Sequence, residues 1–241
     1  MKQIPRTLAV LYAQAFLNSL VFFAPVALFV RTRCGISIRQ FFILQAVLSL
    51  STFIFEVPCG MITDKIGYKA SIILAQFLLC IARLLFLVSG YIGDGVFFLF
   101  FGEAVIESLS ACFFSGTCEA YLYGIYKGDV FMKKSAAIGN FDTAGFIAST
   151  VLFVPIYHYF GVTGLILGTA LAAFASLCLL PLLTGDAVRN ATANGKSESI
   201  SLSFFLQRLF SKRVALIFLI SSILSLGTLA INFWPFAGKR G

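Results

Sequence analysis

Inside the apolar runs of this chain stand Asn18, Gln45, Arg83, Glu103, Glu107 and Asp142, side chains whose chemistry changes when water is withdrawn. A desolvated carboxyl holds its proton to higher pH, and a second carboxyl beside it adds to the effect, so such a group can load and release a proton near neutrality. Glu103 and Glu107 are spaced i, i+4 and share one face of a helix, which makes them candidates for holding a cation or passing a proton. Arg83 lies near the middle of the preceding apolar run, so a neutralising Arg83–Glu107 pair is a purely structural use of the same groups, and a shallow Glu103 would simply be solvated. The amides of Asn18 and Gln45 suit hydrogen bonds to a polar solute or, more commonly, between helices. Asp142 is a further acid, one to two turns into its run.

The elements that must position these groups are membrane helices. Of 241 residues 59% are hydrophobic and only 12% charged, with mean hydropathy +0.96, far too apolar for a water-soluble surface. The runs are about 20 residues long and lack the period-two alternation of barrel strands, so the expected class is an all-α polytopic membrane protein. The spans are placed at residues 7–30, 40–62, 70–92, 96–123, 136–159 and 162–184. Residues 185–213 form a polar cytoplasmic linker with an amphipathic segment, and 214–236 a seventh span. The first span has no cleavage site and is a retained helix, kinked near Ala24–Pro25. RTRCGISIR (31–39) and KGDVFMKK (127–134) are loops, and Gly164 and Gly168 stand at a spacing that permits close helix contact.

The formal charge of +8 does not point to nucleic acid, because the basic residues occupy short gaps between spans. Those on the N-terminal side (Lys2, Arg6, Lys65, Lys69, Lys127, Lys133, Lys134 and the linker) outnumber Arg31, Arg33, Arg39, Lys239 and Arg240 opposite, placing the N-terminus in the cytoplasm. With one His, no metal-ligand spacing, no GxSxG and no phosphate loop, neither an enzyme nor a cofactor nor a metal is expected.

Residues 60–69, GMITDKIGYK, lie between the second and third spans on that cytoplasmic side. Gly60, Ile62, Asp64, Lys65, Gly67 and Lys69 match the pattern Gly-x-Leu-x-Asp-Arg/Lys-x-Gly-Arg-Lys, with Tyr68 where a basic residue is usual. The stretch resembles the loop signature of the major facilitator superfamily (MFS). FEVPCG (55–60) and SGTCEAYLYG (115–124) are similar to segments of prokaryotic members. Gly60 allows close helix packing, Gly67 a sharp reversal, and Asp64 a place near the positive end of a facing helix.

The resemblance implies a six-helix N-terminal bundle of two inverted three-helix repeats, here followed by one further helix, with helices one and four along a central cavity. The decapeptide would be a gate latch, with Glu119 a partner for Lys69 or Lys65 and with Asp142 and Glu56 in its network. The implied activity is secondary active transport of a small solute across the cell membrane by alternating access, coupled to an ion or proton. Its partners would be membrane lipid, the solute and a coupling proton. The fifth span, AAIGNFDTAGFIASTVLFVPIY, lacks the Gly-Pro-rich pattern of drug/proton antiporters, so export is unsupported. Twelve helices are usual in the family, so a truncated, inactive product is one expectation. The alternatives are a non-transporting assembly protein and a half-size transporter completed by a second copy.

Overall fold

A computed structural model of the chain describes residues 3–90 and 96–183, and every described element is helical. The linker, the seventh span and the turn at 91–95 lie outside the described residues. Four helical stretches are long and apolar enough to cross a membrane: Ile38–Ile66, Tyr68–Ser89, Val96–Ile125 and Gly128–Leu182. Their outward faces carry large apolar side chains such as Phe53, Ile54, Phe98, Val151 and Phe160, which water would reject and lipid accepts. The chain is therefore an all-α membrane protein.

The first span is not one kinked helix. Helix α1 (Gln3–Asn18) stops, a 3₁₀ turn follows at Ala24–Val26, and a short α2 (Ala27–Arg33) resumes. Pro25 sits at the start of the 3₁₀ turn, where its missing N–H costs nothing. The basic connection correspondingly shrinks, since Arg31 to Arg33 are still helical.

Helix α3 (Ile38–Ile66) opens on a capping box: Ser37 Oγ accepts from the Gln40 N–H at 3.3 Å, and Gln40 Oε1 accepts from the Ser37 N–H at 2.9 Å. It then passes through Pro58 and most of the decapeptide. GMITDKI is helix rather than loop, and the reversal is confined to Gly67, whose φ of 90° only glycine adopts freely. Helix α4 (Tyr68–Ser89) begins at the next residue.

The fourth span is interrupted at Ser115–Gly116, dividing α5 (Val96–Phe114) from α6 (Thr117–Ile125). Helix α7 (Gly128–Leu179) absorbs the expected loop at 127–134 apart from Lys127, its extended N-cap, and Gly161, at φ 64°, breaks it into two arms where a turn was expected. A 3₁₀ turn, Leu180–Leu182, ends the described chain.

Helix α4 is the central element, packed against α5 on one side and α7 on the other; α3 lies on α5, and α1 on α7. Its buried face carries small and medium residues, including Ser71, Ala75, Gln76, Cys80 and Ala82, so that neighbouring backbones approach closely. The α1–α7 contact is closer still: a Cβ at Gly145 would stand 2.3 Å from the Phe16 carbonyl oxygen. A Cβ at Gly168 would stand 3.1 Å from the Phe22 ring, whereas one at Gly164 would meet Phe160 of its own helix, so of the spaced pair Gly168 is the one that faces another part of the chain.

Candidate functional site

Helix α5 presents Glu103 and Glu107 one turn apart, and each meets an arginine from a different helix. Arg31 Nη2 of α2 donates to both Glu103 oxygens, at 3.0 and 3.2 Å, and Arg83 Nη2 of α4 donates to Glu107 Oε1 at 2.8 Å. These are the two ion pairs among the described residues. The Glu103 side chain is 0% exposed, so the shallow, solvated Glu103 considered from sequence is not what the fold builds. The Arg83–Glu107 pair is the neutralising contact that the spacing allowed.

Aromatic rings complete the box. The Arg31 guanidinium lies 5.4 Å from the Phe86 and Phe100 ring centroids and 5.7 Å from that of Phe41, and Arg83 stands 5.7 Å from Phe23. A ring face attracts a cation and excludes water, so Phe86 and Phe100, packed edge-on at 5.2 Å, insulate the pair. Arg31 was counted from sequence among the outer-loop charges; instead it is buried, and its Nε has no hydrogen-bond partner among the described residues. The signal in the sequence is Pro25, which reads as a kink but lies in a 3₁₀ turn from which a new helical segment runs on to Arg31.

The remaining candidates converge elsewhere. Asn18 ends α1, Glu119 lies in the first turn of α6, and Asp142 lies on the first arm of α7, yet all three line one cleft of about 460 Å³. The Ser115–Gly116 break forms part of its wall, with Leu11, Ala15, Phe114 and Ile138 as apolar surface. Ser19 Oγ donates to Asp142 Oδ1, a contact made where Gly145, three residues on, lets α7 press against the end of α1. Ser19 was not anticipated, because a lone serine at a helix end carries no pattern.

Asn18 also exchanges two 2.9 Å hydrogen bonds with Gln76 of α4, whose Nε2 donates in addition to the Ala173 carbonyl at 3.0 Å. Its amide therefore ties three elements together at the edge of the cleft. Gln45 is half-buried on α3 and outside this cleft.

Within the decapeptide, Gly60 is exposed and a Cβ there would meet nothing within 4 Å, so no close packing is made at it among the described residues. Asp64 and Lys65 are exposed on the last turns of α3. Lys69 does not pair with Glu119. Its Nζ donates to the carbonyls of Leu183, at 2.5 Å, and Pro181, at 3.3 Å, meeting unsatisfied acceptors at the end of the α7 region.

No family model matches the chain. A protein of Buchnera aphidicola subsp. Acyrthosiphon pisum, named only as an uncharacterized transporter, is 25% identical over 170 residues, or 69% of this chain and 42% of that protein. The chain thus spans less than half the length of this relative.

Proposed function

We propose that the chain is the N-terminal portion of a major-facilitator-type secondary transporter, moving a small solute across the cell membrane by alternating access with proton or ion coupling. The observation that carries this reading is the cleft: Asn18, Glu119 and Asp142, far apart in sequence, line one opening among apolar helices. The decapeptide pattern and the transporter relative support it.

In this reading the described elements supply six crossings: α1 with α2, α3, α4, α5 with α6, and the two arms of α7. The Gly67 reversal, Lys69 and Glu119 lie at the cytoplasmic end, and the N-terminus is cytoplasmic. Asp64 and Lys65, exposed on α3, are the latch surface for a second bundle, supplied by a further segment or a second copy. The paired Glu103 and Glu107 hold α2 and α4 on α5, and transport duty falls on the cleft. No enzyme chemistry and no resident cofactor enter the scheme.

The test is reconstitution of the chain in liposomes loaded with a pH-sensitive dye, challenged with panels of sugars, amino acids and organic ions. Solute-dependent proton movement that is lost in Asp142→Asn is expected. A folded, helical protein that moves no solute in any panel would overturn the reading and favour an assembly role.

A further inference from the structure

We propose that the cleft between α1, the α5–α6 break and α7 binds a small organic cation; this rests on the transporter reading above and gives it a substrate class. Its volume of about 460 Å³ falls in the range of roughly 300–1,000 Å³ typical of small-molecule sites. Glu119 and Asp142 are the charged residues of its lining, and no Lys or Arg lines it. Both residues are exposed, and two carboxylates on one lining make its field negative, repelling an anion and attracting a cation.

Lys133 and Lys134 immediately precede Ser135 in sequence but do not line the cleft. Arg31 and Arg83 are held by Glu103 and Glu107, and Lys69 is held by the carbonyls of Pro181 and Leu183. The acids on α5 are thus cancelled within the bundle, while those of the cleft have no ion-pair partner among the described residues. Ser19 holds the Asp142 carboxylate through Oδ1 and so limits its rotation.

The walls fit an organic ion better than a bare metal. Leu11, Ala15 and Ile138 offer apolar surface, and Phe114 adds an aromatic ring of the kind that attracts cations. Two interruptions of otherwise continuous helix, after Asn18 and at Ser115–Gly116, meet at this opening. Within a membrane such irregular backbone is tolerated where it lines a polar cavity.

The experiment uses two ions of matched shape and opposite charge, tetraphenylphosphonium and tetraphenylborate, in equilibrium dialysis against the purified chain in lipid nanodiscs. Empty nanodiscs supply the partition background. The expected result is saturable tetraphenylphosphonium binding, weakened about tenfold or more by Asp142→Asn and by Glu119→Gln, retained in Asp142→Glu, and no saturable tetraphenylborate binding. If circular dichroism and gel filtration show Asp142→Asn unfolded, Ser135→Lys, which puts a cation in the lining, is expected to abolish binding instead. The proposal is overturned if the folded double variant Asp142→Asn/Glu119→Gln binds the phosphonium as wild type does, if the borate binds equally, or if neither ion binds saturably. Solute flux without phosphonium binding would remove the cation class and leave the transporter. Phosphonium binding without any flux would keep the site and remove the transporter.

Discussion

Arg31 of α2 and Glu103 of α5, 72 positions apart, meet at 3.0 Å with both side chains withdrawn from solvent. The pair fastens α2, a segment only seven residues long, to α5. Removing one partner strands the other in an aromatic box. Arg31→Ala is expected to destabilise the folded bundle by about 3–5 kcal/mol, whereas the paired apolar replacement Arg31→Met with Glu103→Leu recovers most of the loss. Unfolding in mixed micelles, followed by circular dichroism, measures both. A double variant no better than the single ones would count against the clasp.

Arg83 and Glu107 make the same kind of contact at 2.8 Å, but the Glu107 side chain is 24% exposed. Water reaching one partner reduces both its desolvation cost and the damage of losing the other. A double-mutant cycle is expected to give a coupling energy below that of Arg31–Glu103. The reverse order would indicate that Arg31–Glu103 is the more accessible pair.

Gly145 is the position where substitution should disturb geometry most directly. A methyl group there collides with the Phe16 carbonyl, so Gly145→Ala is expected to cost about 1–3 kcal/mol through forced separation of α1 and α7. Gly60→Ala, inside α3 with open space around it, should cost nothing and stabilise by up to about 1 kcal/mol. Equal melting shifts for the two would refute the assignment of the close crossing to Gly145.

Lys69 gives a test of the latch end. Since its Nζ meets carbonyls rather than a carboxylate, Lys69→Ala should loosen the 3₁₀ turn after α7 by about 1 kcal/mol, and Glu119→Gln should not reproduce this. Hydrogen exchange at residues 180–183 reads the difference. Protection lost equally in both variants would restore a Lys69–Glu119 contact.

Cys34, in the short connection after α2, reports orientation. Burial pushes its thiol above the ordinary range, and the nearby Arg31 charge, which acts in the opposite direction, does not cancel this. Its thiolate is therefore scarcer at neutral pH than that of a free cysteine, and maleimide labelling should be slow at pH 7 and rise about tenfold per pH unit while the thiol remains protonated. Under the proposed topology an impermeant reagent reaches it from outside intact cells. Labelling only after permeabilisation would invert the bundle.

The membrane class and the helical character could be read without coordinates, because 20-residue apolar runs have few other physical solutions. The i, i+4 relation of Glu103 and Glu107, the Gly67 reversal and the break at Gly161 are likewise local properties, set by helix period and by glycine's conformational freedom. The spacing of Arg83 and Glu107 already permitted their pairing. Interruptions within spans were harder to see: Asn18, Ser115 and Gly116 sit in sequence as apolar as its surroundings, and hydropathy does not register a broken hydrogen-bond ladder.

What only the tertiary structure decided is which charges meet. Arg31 lies in a run that looks like a basic loop, yet the break after α1 turns it inward to Glu103, and Lys69 finds backbone carbonyls rather than Glu119. Likewise Asn18, Glu119 and Asp142 share a cleft because Gly145 lets α7 press on the end of α1 and Gly116 interrupts the fourth span. Composition and periodicity determined that this chain must bury its polar groups away from lipid. Helix rotation and crossing distance, which depend on partners far along the chain, selected the contacts that do so.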